Sequence, residues 1–420
     1  MADGWICSHD LMAFVGRRSE PVDMFEAESL ARPDPSSTPA RVIVAGGGVA
    51  AVETLLALRN LAGERVRTTV VAPQATFTSS AMAVARVFSR GHPCQVELAE
   101  IADELVCDGV VNVDPDARRV RCSSGHELAY DHLVLAVGAR ARRAWRQGIT
   151  FGEDPAEEAL HGLLEEVERG YVKQVVFVVP GCGPVWPLPL YELALMAARQ
   201  AWSMGMDRVR FALVSPEERP LGVFGRAPSQ AVGELLDGCG VEFIGSTYAS
   251  VSRGCVQLDP SARQLKGVRI VSSPVLEGAD LPGVPADPAG FILADAHGRV
   301  PGLARVYAAG DGAAFPIKQG GLATQQADAV AESITAAVGA PVTPEPFRPV
   351  LRAVLLTGGD TRYLQYAVAG GDGEGAIATA PLWWPPAKVA GRYLSQYLLG
   401  PDDAPRPRRP LSNPSLVQSR

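Results

Sequence analysis

The stretch Arg41-Val-Ile-Val-Ala-Gly-Gly-Gly-Val-Ala-Ala-Val-Glu53 constrains this chain more than any other: a short apolar run, three glycines and a helical pattern follow one another without a break. Residues 41–45 have the composition of a buried parallel strand, and Val52, Leu55, Leu56 and Ala57 recur at helical spacing up to Leu61. In the turn, Gly46 permits the tight bend and Gly48 lets the backbone approach a pyrophosphate, while Ala51 stands where a third small residue lets helix pack on strand. Gly47, Val49 and Ala50 complete the loop and the first helical turn. Phosphates held there sit on a helix N-terminus, where unpaired N–H groups and the positive dipole end point at them. A tight turn that binds nothing has the same local pattern, so the surroundings decide.

One part of the dinucleotide fingerprint is absent. The strand Arg67-Thr-Thr-Val-Val71 runs on into Ala72-Pro73-Gln74 rather than ending in an acid for the ribose hydroxyls, which leaves the Ala72 backbone and Gln74 as candidate contacts. At 420 residues, 47% hydrophobic and 20% charged, the chain has room for two or three domains. A net charge of -7 gives no reason to expect nucleic acid. No apolar run reaches the roughly 18 to 20 residues of a membrane-spanning helix, and the N-terminal segment lacks the pattern of a signal peptide. A cytoplasmic protein is the expectation. The seven cysteines show no CxxC spacing, which argues against a structural metal site and a disulfide framework.

Alternating strand and helix patterns give an organisation. Residues 1–40 read as a mobile extension, 41–150 and 285–345 as a first unit, 151–284 as a second, and 346–420 as a C-terminal region with a mobile tail. The second unit opens at Gln174-Val-Val-Phe-Val-Val179 and continues through Val209 to Val214 and Val241 to Ile244. The expected fold class is α/β: two Rossmann-like dinucleotide-binding domains with parallel sheets, the first discontinuous, plus a C-terminal segment.

Three motifs in order, Gly46 to Ala51, Leu133-Val-Leu-Ala-Val-Gly138 and Ala308-Ala-Gly-Asp311, carry a resemblance. The chain resembles the two-dinucleotide-fold flavoproteins, the group that holds pyridine nucleotide-disulfide reductases, type II NADH dehydrogenases and sulfide:quinone reductases. The resemblance implies FAD in the first domain and NADH or NADPH in the second. It further implies that Gly310 and Asp311 meet the flavin ribityl chain, that Ala136 and Gly138 pass close to the cofactor, and that Val110 meets the adenine through its backbone. For Asp311 a turn or helix-cap acid is the plainer alternative. Beyond it, Phe315-Pro-Ile-Lys-Gln-Gly-Gly-Leu-Ala-Thr-Gln-Gln-Ala327 is expected to begin, at Gly320 and Gly321, a helix whose N-terminus faces the isoalloxazine, with Lys318 stabilising negative charge on reduced flavin. The same resemblance makes Gln325 and Gln326 candidate contacts for a quinone carbonyl; a solvated helix face is the alternative.

The cysteines narrow the subfamily. Only Cys94 lies where glutathione reductase-type enzymes carry a Cys-x4-Cys pair, and no cysteine follows Cys255, whereas sulfide:quinone reductases take one from the C-terminal part. Cys182, in Pro180-Gly-Cys-Gly-Pro184, is either a lone reactive thiol or a small residue in a tight turn. The second glycine motif keeps Gly181 and Gly183 but puts Trp186 and Pro187 where the third small residue belongs, so it either binds a nicotinamide nucleotide in a reshaped turn or has lost it. Glu217 and Glu218 are candidates for the ribose of NADH, with Arg219 keeping NADPH open. Finally, Pro381 to Leu399 joins Trp383 and Trp384 to Lys388 and Arg392 in the manner of an interfacial segment; packing over the flavin domain or a homodimer interface are its alternatives. The expected function is hydride transfer from NAD(P)H to flavin and on to a quinone-like or other small acceptor. The alternatives are sulfide oxidation and a non-catalytic FAD-binding redox sensor.

Overall fold

The computed structural model describes residues 38–91, 93–153, 155–368 and 373–399. The expectations of a mobile extension and tail therefore fall, before residue 38 and after residue 399, outside the described residues. Helices α1 (Val49–Leu61), α2 (Ala83–Val87), α3 (Leu98–Ile101), α4 (Ala156–Glu168), α5 (Leu188–Ser203), α6 (Arg226–Gly238), α7 (Gly320–Ala337) and α8 (Leu394–Leu399) alternate with strands that build two five-stranded sheets.

The first sheet runs Val306–Ala308, His132–Leu135, Ala40–Ala45, Val66–Val71, Glu104–Val106, with every neighbouring pair parallel. Its central strands are apolar on both faces, as a sheet covered by helices requires. Val42 and Val44 join α1 and α7 in one core, and Ile43 and Ala45 face another lined by Val120, Leu281 and Ile292. The strand Val306–Ala308 adds to this sheet although the whole second unit intervenes in sequence. α1 lies along α7, and Leu55 and Leu58 are fully buried. Truncating either to Ala costs roughly 2–5 kcal/mol.

The second sheet runs Ile149–Thr150, Arg269–Ser272, Gln174–Val178, Arg210–Val214, Val241–Ile244, again all parallel. Chain leaving the first sheet, Arg140–Arg142, pairs antiparallel with chain returning from the second, Val275–Glu277, so the crossing is a two-stranded ribbon. A three-stranded antiparallel sheet, Val350–Leu355, Arg362–Ala367 and Ala376–Ala378, follows α7. Its Leu351, Leu355 and Leu364 complete the core around Leu190, Leu193 and Phe224, tying the C-terminal region to the second unit.

The segment from residue 381 differs from the amphipathic stretch expected of it. Only Leu394–Leu399 is helical. Pro381, Pro385 and Pro386 keep the preceding chain irregular. Its cations are paired: the buried Lys388 Nζ lies 2.7 Å from Glu192 on α5, and Arg392, still exposed, lies 3.1 Å from Glu332 on α7. Leu394 enters the core beside α1. Packing over the first domain, one of the alternatives read from the sequence, is thus what these residues do. Trp383 packs edge-on against Tyr363, and Trp384 alone of the pair is well exposed. Among the described residues no helix is long and apolar enough to cross a membrane.

Candidate functional site

The C-terminal ends of the first sheet's strands converge, as open α/β sheets arrange their binding crevices. Chain leaves the strand Ala40–Ala45 through Gly46, whose φ of +121° and contact with Ala136 exclude a side chain: a Cβ there would overlap the Ala136 carbonyl oxygen. Gly47 faces the Ala72 and Leu98 side chains, with a Cβ at 3.0 Å from that of Ala72. Gly48 is the N-cap of α1; no side chain caps this helix, and a Cβ on Gly48 would meet nothing within 4 Å. The loop thus ends in open space before uncapped N–H groups of Val49 and Ala50, a cradle for phosphate. Ala51 is fully buried between helix and sheet.

The other first-domain residues border that cradle. Ala72 donates its N–H to the Val106 carbonyl at 3.0 Å, and Gln74 stands exposed just beyond it. Ala136 extends the strand pairing, its N–H 2.8 Å from the Ala45 carbonyl, and Gly138 follows two residues on, its carbonyl oxygen 2.8 Å from where a Cβ of Gly312 would stand. Gly310 packs on Ala50, where a Cβ would stand 2.9 Å from that of Ala50. Val110 begins the strand Val110–Asp114, at the edge of a separate three-stranded antiparallel sheet. These positions fit a dinucleotide laid across the strand ends, with its pyrophosphate at the start of α1.

Asp311 and Lys318 are placed together. Burial raises the Asp311 carboxyl, opposed by the Lys318 charge and the Gln319 N–H. Lys318 is itself almost fully buried: Nζ donates to the Ala313 carbonyl at 2.5 Å and lies 3.7 Å from the Phe291 ring centroid. Burial pulls its pKa down to about 8, against the opposing pull of Asp311 and Asp287. Phe291 and Asp287 carry no sequence signal for this role, since neither belongs to a motif.

The two glutamines depart from the sequence expectation. Gln325 Nε2 donates to the Gly321 carbonyl at 2.6 Å and the Val350 carbonyl at 2.9 Å, and its Oε1 accepts from Val350 N–H at 2.9 Å. It fastens α7 to the C-terminal sheet, so its amide is committed and not offered to a quinone. Gln326 Oε1 accepts from Gly310 N–H at 2.8 Å and holds the turn before Asp311. Gln319, unremarked in sequence, caps α7: Oε1 accepts from Leu322 N–H at 2.9 Å and Nε2 donates to the Arg352 carbonyl at 2.8 Å. The capping pattern that flags such a residue is a Ser, Thr, Asp or Asn, which is why Gln319 was not legible. Gly320 lies under Val389, with a Cβ 3.1 Å from the valine Cγ2.

The second mouth is built differently. Residues 179–187 separate the strand Gln174–Val178 from α5, and Pro187 occupies the N-cap with Pro189 following. Gly181 lies against the ring of Tyr248, which a Cβ would overlap; Gly183 is backed by Val275, with a Cβ 2.8 Å from Val275 Cγ1. Trp186 packs edge-on against Phe224, their ring centroids 5.9 Å apart. Cys182 is exposed between the two glycines. Glu217 is turned inward: Oε2 accepts from the Tyr191 hydroxyl at 2.7 Å and Ser215 Oγ at 3.1 Å, and burial pushes its pKa up to about 7. That oxygen is committed to α5 rather than to a ribose. Glu218 and Arg219, both well exposed and 3.6 Å apart, occupy the outer face of the same turn.

Two parallel sheets, each with a glycine turn at its strand ends and joined by a two-stranded ribbon, define the two-dinucleotide-binding fold. Residues 40–338 match the model of the pyridine nucleotide-disulphide oxidoreductases. The chain belongs to the pyridine nucleotide-disulphide oxidoreductase family, whose members bind FAD and a nicotinamide nucleotide. The sulfide-quinone reductase of Aquifex aeolicus is 29% identical over 203 residues, 44% of this chain and 44% of that protein. Rhodocoxin reductase of Rhodococcus erythropolis is 28% identical over 217 residues, 50% of this chain and 48% of that protein. The match thus spans about half the length of these curated relatives. The solved sulfide:quinone oxidoreductase of Aquifex aeolicus shares the fold, with a TM-score of 0.70 at 20% identity over 81% of this chain and 86% of that one.

Proposed function

We propose that this chain is an FAD-dependent oxidoreductase that accepts reducing equivalents from NADH or NADPH and passes them to a quinone-like or other small acceptor. The observation that carries the reading is the open, uncapped start of α1 facing Ala136 to Gly138 and the Asp311–Lys318 pair. When bound, FAD supplies the two-electron carrier between donor and acceptor. Gly48, Val49 and Ala50 hold the pyrophosphate through backbone N–H groups. Asp311 accepts a hydrogen bond from the cofactor's polyol chain. The Lys318 ammonium, held by Ala313 and shielded from water, adds positive potential that favours the reduced, more negative state. The exposed Glu218–Arg219 pair, rather than Glu217, meets the nucleotide's ribose. In this reading the protein works in the cytoplasm, and Trp384 marks where it touches the inner face of a membrane or a second copy of itself.

One observation favours a second reading. Tyr248 lies on Gly181 while Cys182 stays exposed beside it, an arrangement suited to a small donor such as sulfide rather than a nucleotide. A non-catalytic sensor is the third case. Anaerobic titration of the flavin absorption with NADH, NADPH and sulfide separates them. The reading given first expects bleaching by one of the nucleotides within a turnover time. Bleaching by sulfide alone replaces it with the second, and no bleaching with bound flavin leaves the sensor.

A further inference from the structure

Glu53 is buried in the middle of α1, where a helix facing the core ordinarily carries an apolar residue. Its carboxylate accepts two backbone hydrogen bonds from the far end of the chain, Tyr393 N–H at 2.8 Å and Leu394 N–H at 2.7 Å. Gly391 passes directly over it, with a Cβ 2.6 Å from Glu53 Oε2. Asp328, on α7, faces the same carboxylate, and its Oδ1 is buried without a partner. Glu332 stands one turn further along α7 and takes Arg392 at 3.1 Å. Three acids therefore share one cation, and that cation is engaged by Glu332. Two carboxyl groups in contact in a buried site do not both ionise, so the pair holds one proton. Burial raises both groups; for Glu53 the backbone N–H groups oppose it, whereas for Asp328 the Glu53 charge adds to it. The proton accordingly sits on Asp328, which donates to Glu53.

The backbone so gripped is a strap. Lys388 is fixed to both oxygens of Glu192 on α5, Val389 covers Gly320 at the start of α7, and the Ala390 carbonyl accepts from Thr324 Oγ1 at 3.0 Å. It crosses from the second unit to α1 over the end of α7 that faces the proposed cofactor crevice. We propose that residues 388–394 form a proton-operated strap: one proton shared by Glu53 and Asp328 fastens it across the start of α7, and loss of that proton releases it. Closing takes up one proton, because in the released state both carboxyls meet water and return to their ordinary range near 4. Closure is therefore favoured at low pH and weakens as pH rises. The other groups facing the pair do not change this: Arg392 stays cationic beside Glu332, and burial raises Tyr393, keeping it neutral. The strap works the same way whichever donor reduces the flavin.

Hydrogen exchange of the Tyr393 and Leu394 amides in the intact protein, expressed as protection relative to unstructured chain, tests it. In the native protein protection falls by up to about tenfold per pH unit between about pH 5 and pH 8. Asp328→Asn, whose amide donates to Glu53 at any pH, flattens the profile, and Glu53→Gln lowers protection throughout. A native profile already flat, or an Asp328→Asn profile with the native slope, overturns the proposal. If Glu53→Gln fails to fold, the comparison of Asp328→Asn with the native protein decides alone.

Discussion

The two glycine turns begin alike, each leaving the middle strand of a parallel sheet, and end differently. In the first, residues 46–48 alone separate strand from helix, and the helix begins uncapped with open space in front of Gly48. In the second, residues 179–187 intervene, prolines hold back α5, and the Tyr248 ring sits on Gly181. Four strands of each sheet run in the same order, only the edge strand being drawn from a different part of the chain, so the difference lies in the turn and in what is packed on it. A binding-competent phosphate cradle needs a short turn and a bare face. The first has both, whereas the second gains a bare face only when a side chain moves.

Substitutions at the first turn have the largest expected effect. Gly46→Val places a side chain into the Ala136 carbonyl at a φ that branched residues avoid, and costs roughly 3 kcal/mol or more together with the bound flavin. Flavin content and thermal melting check this; a stable variant that retains flavin would remove the first turn from the site. At the second turn the comparison predicts the opposite sign. Tyr248→Ala bares Gly181 and tightens nucleotide binding by about tenfold, about 1.4 kcal/mol, while Tyr248→Phe leaves it unchanged. Equal or weaker binding by the alanine variant would mean that the ring is part of the site rather than an obstruction to it.

Smaller effects sharpen the electrostatics. Lys318→Met lowers the flavin midpoint potential by roughly 30 mV, the equivalent of about 1.4 kcal/mol for two electrons. Because the Lys318 pKa is about 8, its charge is lost as pH rises through that value, and the difference between the two proteins shrinks above it. Redox titration at two pH values reads both statements. Glu217 is read through stability rather than potential. Its pKa, raised to about 7, makes its contribution to stability complete below the ordinary carboxyl range and lost as pH rises towards 7. Glu217→Gln therefore flattens the pH dependence of stability by about 2 kcal/mol between pH 5 and pH 7; an unchanged slope would place the titration elsewhere.

Much of the first mouth was legible because its signals are local. Gly46 to Ala51, the strand with Leu133 to Leu135 and the Gly310–Asp311 turn each announce themselves within a few residues, and parallel pairing follows from the strand–helix alternation. What escaped depends on contacts between distant segments. Tyr248 meets Gly181 only because the Tyr248–Ser252 strand folds back over the second turn. Gln325 looks like a polar helix residue until Val350–Leu355 pairs its amide. Glu53 lies inside the best-read motif of the chain, yet its partners at Tyr393 and Leu394 are near the far end. Lys388 and Arg392 read as an interfacial charge pattern because a sequence does not show that Glu192 and Glu332 face them.

The central claim is that the first turn binds FAD as it stands. The most direct measurement is the flavin released per chain from protein that has passed gel filtration, together with rebinding of FAD to flavin-free protein. One FAD per chain, regained on rebinding and lost in Gly46→Val, is the predicted result. Native protein that neither carries nor rebinds flavin would contradict the account.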